Sequence, residues 1–292
     1  MSTENRSFNR RQALQSLGMI GAGAALTACM PTAIAQMPDI DVDVLNFALN
    51  LEYLEAEFYS FAAFGVGLSS ADAGGGPASV GGKKVTFATP AIQSYAEEIA
   101  NDEIAHVKFL RAALGVKAVA RPQIDIGPAF AAAANAAFAT TLSPAFDPYA
   151  NELFFLHGAF IFEDVGVTAY KGAARLITNK DFLEAAAGIL GVEAYHAGQI
   201  RTLLYAQKDT NVAAYGVTVQ TIVQKISDLR GAVGGGKDQG LVVGGKANIQ
   251  PTDANAIAFS RSTSEVLKIV YLGGTASGGF FPAGLNGNIK TA

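Results

Sequence analysis

The chain has 292 residues, 50% hydrophobic and 16% charged, with a formal net charge of -4 at pH 7. That is enough apolar material for one sizeable core, with or without an appendage, and the absence of a basic cluster beyond the first dozen residues excludes a footprint for nucleic acid. Thirty-two glycines, many in runs, imply long irregular connections around that core.

The first predicted element is an address label. Arg6, Arg10 and Arg11 precede the small, apolar run LQSLGMIGAGAALTA, which is too short to span a bilayer. Residues 1–35 therefore read as an export signal. The pair in FNRRQAL resembles the twin-arginine type, which carries folded proteins across the bacterial inner membrane, although Ala13 and Gln15 stand where that motif usually has Phe and Lys. Two cleavage readings stand side by side. Leu26-Thr27-Ala28-Cys29 resembles a lipobox, with cleavage after residue 28 and a lipidated Cys29, while Ala33-Ile34-Ala35 fits ordinary signal peptidase. Both predict an exported protein of the periplasm or cell envelope, and the first adds a lipid anchor. One cysteine leaves no intrachain disulfide in that oxidising compartment.

Residues 41–64 give the first predicted helix, followed by the glycine-rich loop GVGLSSADAGGGPASVGGKK. Thr89-Pro90 has the form of an N-cap with proline at the first helical position, opening a second helix that stops at Gly115. Residues 115–146, with Pro122, Pro128 and Pro144 around AFAAAANAAFA, are long for a hairpin turn and suit a crossover. Asp147-Pro148 is read as the start of a third helix to Arg175, and Asn179 or Asp181 as the start of a fourth to Gln207. The predicted fold is all-α: a four-helix bundle over 40–208 with a long crossover between helices 2 and 3. Residues 209–292 form a glycine-rich C-terminal extension, with helices at 217–230 and 261–272, expected to pack on the bundle or mediate association.

The chemistry lies in a repeat. Glu103 and His106 in NDEIAHV stand three apart, as do Glu193 and His196 in GVEAYHAG. Glu52 precedes Tyr59 by seven residues, and Glu163 precedes Tyr170 by seven. Each half of the bundle thus reads Glu-x6-Tyr and then Glu-x-x-His, as duplication of a helical hairpin would leave it. All four glutamates interrupt apolar stripes, for example Ile92, Ala96, Ile99, Glu103, His106 and Leu110. Converging buried carboxylates repel one another and lose solvation unless cations neutralise them or their pKa values rise. Two divalent ions balance four carboxylates, and two imidazoles complete a mixed N/O set suited to iron or manganese.

Neighbouring residues compete for these roles. Glu55 and Glu57 lie close to Glu52, but Glu52 keeps both the apolar stripe and the spacing to tyrosine. Tyr59 and Tyr170 are read as core side chains or hydrogen-bond donors behind the ligands. Asp164 is a candidate to orient a ligating histidine. His157 is read as structural, and Glu97, Glu98 and Asp102 as a solvated face.

LNFALNLEYLEAEFY, the two Glu-x-x-His helices and the tail GGFFPAGLNGN resemble the ferritin-like superfamily over residues 40–208, and within it the bacterial ferritin-like proteins grouped with plant desiccation-related proteins. The resemblance implies Glu52 and Glu163 as single-glutamate ligands, one of them bridging, and Glu103 with His106 and Glu193 with His196 as paired ligands of two Fe or Mn ions. It implies redox chemistry on O2 or H2O2, of ferroxidase, peroxidase or catalase type, in stress protection. The alternative it allows is a desiccation- or stress-related envelope protein whose metal site is structural or vestigial. A third reading is an envelope-anchored binding module built on the tail. Metal ions and small oxidants are the expected partners; a homo-oligomer is compatible, while the long loop and the extension argue against a ferritin-type storage cage.

Overall fold

The computed structural model describes residues 39–292. The export signal, its arginine pair and Cys29 lie outside the described residues. The order is α1 (Asp39–Phe64), α2 (Pro90–Leu114), α3 (Pro128–Phe138), α4 (Glu152–Ala174), α5 (Lys180–Ala206), α6 (Val219–Val233) and α7 (Thr263–Val270). Two short antiparallel ribbons join them, β1 (Asn211–Val212) with β2 (Val217–Thr218) and β3 (Val242–Val243) with β4 (Lys246–Ala247). The fold is all-α. Helices α1 and α2 pack as one hairpin and α4 and α5 as a second, and the two hairpins meet less extensively, chiefly through α1 and α4.

The alanine-rich part of the crossover is itself a helix, α3, with Pro128 in its first turn. Alanine has the highest helix propensity and proline at the first position loses no hydrogen bond, and burial of Ala129, Phe130 and Ala133 holds the short helix on the core. The expected start of the third helix is corrected. Asp147 Oδ1 accepts from the Tyr149 amide at 3.0 Å and so makes a turn, and the cap is Asn151, whose side chain accepts from the Phe154 amide at 2.9 Å. Asn179 caps α5 in the same way. The buried Asp41 accepts from the Thr178 and Asn179 amides at 2.7 and 2.9 Å, which places a carboxylate at the positive end of α5 and ties the start of α1 to the α4–α5 link.

Phe58, Phe130, Phe162 and Phe280, from α1, α3, α4 and the tail, share one aromatic cluster, with Phe162–Phe280 centroids 4.9 Å apart and Phe130–Phe280 5.1 Å. Phe280 and Phe281 are fully buried, and Asn286 exchanges two hydrogen bonds with Asn50 of α1. The tail is thus part of the core, which removes the support for a binding module built on it.

Buried ion pairs fasten the remaining pieces. Glu57 takes Arg121, the Ser79 hydroxyl and the Leu68 amide, which clamps the glycine-rich loop and the crossover onto α1. Arg201 of α5 and Arg230 of α6 both donate to Asp164 of α4 at 2.8 Å, and Arg230 and Arg261 both donate to Asp238 at 2.8 Å. Backbone carbonyls take much of the remaining donor capacity, as charges out of water require. Gly172 lets the backbone of Arg261 lie directly on α4, where any side chain would strike its carbonyl.

Candidate metal centre

Helical spacing inside the bundle turns Glu52 and Glu55 of α1, Glu103 and His106 of α2, Glu163 of α4, and Glu193 and His196 of α5 inward, and all seven are buried. They form two donor groups. Glu52, Glu103, His106 and Glu193 each offer an atom within 4.8 Å of the others, and so do Glu103, Glu163 and His196. His106 Nδ1 lies 3.2 Å from Glu52 Oε2, 3.5 Å from Glu103 Oε2 and 3.9 Å from Glu193 Oε1. His196 Nδ1 lies 3.1 Å from Glu103 Oε1 and 3.6 Å from Glu163 Oε2. The two oxygens of Glu103 therefore face different histidines. Glu103 is the residue common to the two groups, whereas Glu52, Glu163 and Glu193 each join one.

The arrangement fits a pair of cations on its own chemistry. Both carboxylate oxygens of Glu103 and of Glu193, Oε2 of Glu163 and Nδ1 of His196 are buried without a hydrogen-bond partner. Leaving such atoms bare costs about 1–3 kcal/mol each, and more for charged groups. They approach one another without hydrogen-bond geometry, as donors around a common ion do.

Tyr59 donates to Glu163 Oε1 and Tyr170 donates to Glu52 Oε1, so each tyrosine serves the glutamate of the other half. One oxygen of each glutamate is held and the other is left for the centre. Burial first, then the facing glutamate, pushes both phenols well above their ordinary range and keeps them donors.

The orienting carboxylate for a histidine is Asp102. Its Oδ2 lies 3.2 Å from His196 Nε2, across from α2 to α5, with the Asp102 side chain 42% exposed. Asp164, expected in that role, is held by Arg201 and Arg230. Asp102→Asn is expected to weaken metal binding by about 10–100-fold, read by chelator competition. Unchanged affinity would mean that packing alone orients the ring.

Glu55 is a missed member of the cluster. Its spacing from Glu52 repeats the three-residue offset of the Glu-x-x-His pairs, a signal present in the sequence. A side chain on Gly166 of α4 would collide with the Glu193 carboxylate and would meet Glu55 Oε1 at 3.5 Å, so the glycine makes room for Glu193 beside Glu55. His157 is buried apart from the cluster, its Nδ1 2.7 Å from the Leu153 carbonyl, and burial pulls its imidazole down to about 4.

Without cations the cluster holds protons. Burial pushes Glu52 up to about 7 against the pull of His106. Glu55 and Glu193 rise well above the carboxylate range, by burial first and then by the surrounding glutamates. Burial alone would lower His106, but Glu52 and Glu103 override it and push it up to about 11; His196 is raised likewise by Glu163 and Glu103. Glu103 is the exception: its two imidazole neighbours outweigh burial and hold it well below the usual range.

Two hairpins that converge four glutamates and two histidines in this way define a ferritin-like carboxylate bundle. A family model described as a ferritin-like domain matches residues 40–206, and the chain belongs to that family. The chain is similar to the desiccation-related protein PCC13-62 of Craterostigma plantagineum, 38% identical over 245 residues that cover 79% of this chain and 77% of the relative. It is also similar to the ferritin-like catalase Nec2 of Nesocodon mauritianus, 33% identical over 267 residues that cover 86% and 85%.

Proposed function

We propose that the protein is an exported dimetal oxidoreductase that disproportionates hydrogen peroxide to water and dioxygen. The observation that carries this reading is Glu103, one carboxylate with an oxygen in each of two donor groups. The similarity to a ferritin-like catalase supports the choice of peroxide. Glu52, Glu103, His106 and Glu193 would hold one Fe or Mn ion, and Glu103, Glu163 and His196 the other. Bound there, the pair supplies two-electron redox capacity by changing oxidation state. The chain supplies the rest. Tyr59 and Tyr170 fix the outer oxygens of Glu163 and Glu52, and Asp102 fixes the His196 ring. Glu55, a buried carboxylate outside both donor groups, is the side chain left to take and return a proton at its oxygens beside the centre. The polar approach is the seam between α2 and α5, where the Asp102, His106 and His196 side chains are 42%, 11% and 6% exposed. Export to the periplasm or envelope, with or without a lipid on Cys29, follows from the N-terminal reading.

Elemental analysis of exported protein, with His196→Ala as control, followed by oxygen evolution from peroxide, tests the proposal. About two Fe or Mn per chain, reduced in the variant, with oxygen released, is the expected result. Protein that takes up no metal on reconstitution sinks it. The similarity to a desiccation-related protein favours a second reading, a stress protein with a structural metal pair, which binds the ions without turnover.

A further inference from the structure

The bundle has two unlike sides. On the α2–α5 side the centre meets solvent through Asp102, His106 and His196. On the α1–α4 side, α7 and the tail cover it. A cavity of about 20 Å³ lies beneath that cover, walled by Leu51, Leu54, Ile161 and Val165 among others, with Glu55 its one titratable side chain and Gly166 beside it. That volume exceeds the roughly 10–15 Å³ needed to admit one water-sized molecule. Its inner wall touches the centre, because Gly166 is the residue whose missing side chain leaves the Glu193 carboxylate in place.

A second cavity of about 50 Å³ lies outside the first, between α3, α6 and α7, and is lined almost wholly by apolar side chains. Ala133, Ala136 and Ala137 form its α3 wall, and Ala136 is exposed, so this cavity reaches the surface. Ile161, Ile269 and Phe280 line both cavities and are the partition between them. Two aliphatic side chains and one ring edge form a barrier that rotamer motion opens on the nanosecond scale or slower. Apolar cavities of this kind stay dry and take up apolar guests such as xenon.

We infer that the paired cavities are a route for a small uncharged apolar molecule of the dioxygen class, running from the α3 surface past Ile161 and Phe280 to Glu55 and Gly166 at the metal centre. Peroxide, water and ions use the polar seam, and dioxygen leaves or enters by the dry side. Helix α7 and the tail then serve as the roof of the route. As a path for reaction dioxygen it rests on the proposed function, whereas the route itself is a property of the metal-free chain.

Xenon is the probe. Crystals of metal-free protein, pressurised for graded times, are expected to show xenon in both cavities, the outer one filling first. Ala137→Phe fills the outer cavity and is expected to delay or abolish xenon in the inner one; Ala136→Phe, at an exposed position that leaves folding intact, provides a second obstruction at the mouth. No xenon in the wild-type inner cavity, or equally fast filling in both variants, overturns the route. Xenon in both cavities of a protein that binds metal but evolves no oxygen upholds the route while the peroxide reading fails.

Discussion

Glu103→Gln is expected to empty both halves of the centre, whereas Glu163→Gln is expected to weaken one. Glu103 places Oε2 beside His106 and Oε1 beside His196, so a neutral amide there removes the only carboxylate common to the two donor groups. Metal content should fall from about two ions per chain to near zero, read by elemental analysis after desalting. Stability follows by mass action. With free metal about a thousandfold above Kd, each ion adds about 4 kcal/mol. A chelator should therefore lower the Tm of the loaded wild type by about 10–30 °C and leave Glu103→Gln unmoved. Retention of both ions by Glu103→Gln would show that the groups are independent, and the shared-carboxylate reading would fall.

The second large effect is a reversal of pH dependence on loading. In the metal-free chain the His106 imidazole is raised from 6.5 to about 11, so its contribution is fully present below pH 6.5 and is lost as pH climbs toward 11. Glu52 is raised from 4.5 to about 7, and a raised carboxyl costs stability as pH passes upward from 4.5 to 7. Glu55 and Glu193 act in the same direction. Glu103, held low, acts oppositely but only below about pH 4.5. From pH 5 to 9 these groups therefore make the metal-free protein lose stability, by an amount on the order of a few kcal/mol. Cations replace those protons, so the loaded protein should hold its ions more tightly as pH rises. Thermal unfolding over that range, with chelator and with metal, reads both slopes. Parallel slopes would show that the cluster does not exchange protons for metal.

The bundle was legible because its signals are local. Apolar stripes, Thr89-Pro90, Gly115 and Asn179 mark three helix ends by backbone chemistry that acts within a few residues. The start of α4 was misplaced because Asp147 and Asn151 are both good caps by composition, and only the turn at Tyr149 decides between them. The six Glu and His positions were legible from a repeated spacing. The repeat is symmetric and so could not show that Glu103 is shared while Glu193 is not; that asymmetry comes from how the hairpins meet. Asp102 reads as a surface residue along α2, since its partner His196 is ninety-four residues away on another helix. Asp164 was assigned to a histidine because the arginines that claim it come from α5 and from the extension, at separations no local pattern encodes.

The crosswise tyrosines bear on how such a chain could arise. Tyr59 has its acceptor in the second hairpin and Tyr170 in the first, so a lone hairpin carries a phenol with no glutamate of its own to steady. A one-hairpin ancestor of this design would be complete only as a dimer. Fusion through the crossover would make permanent an encounter that two separate chains must renew, and would free each copy to drift from its twin.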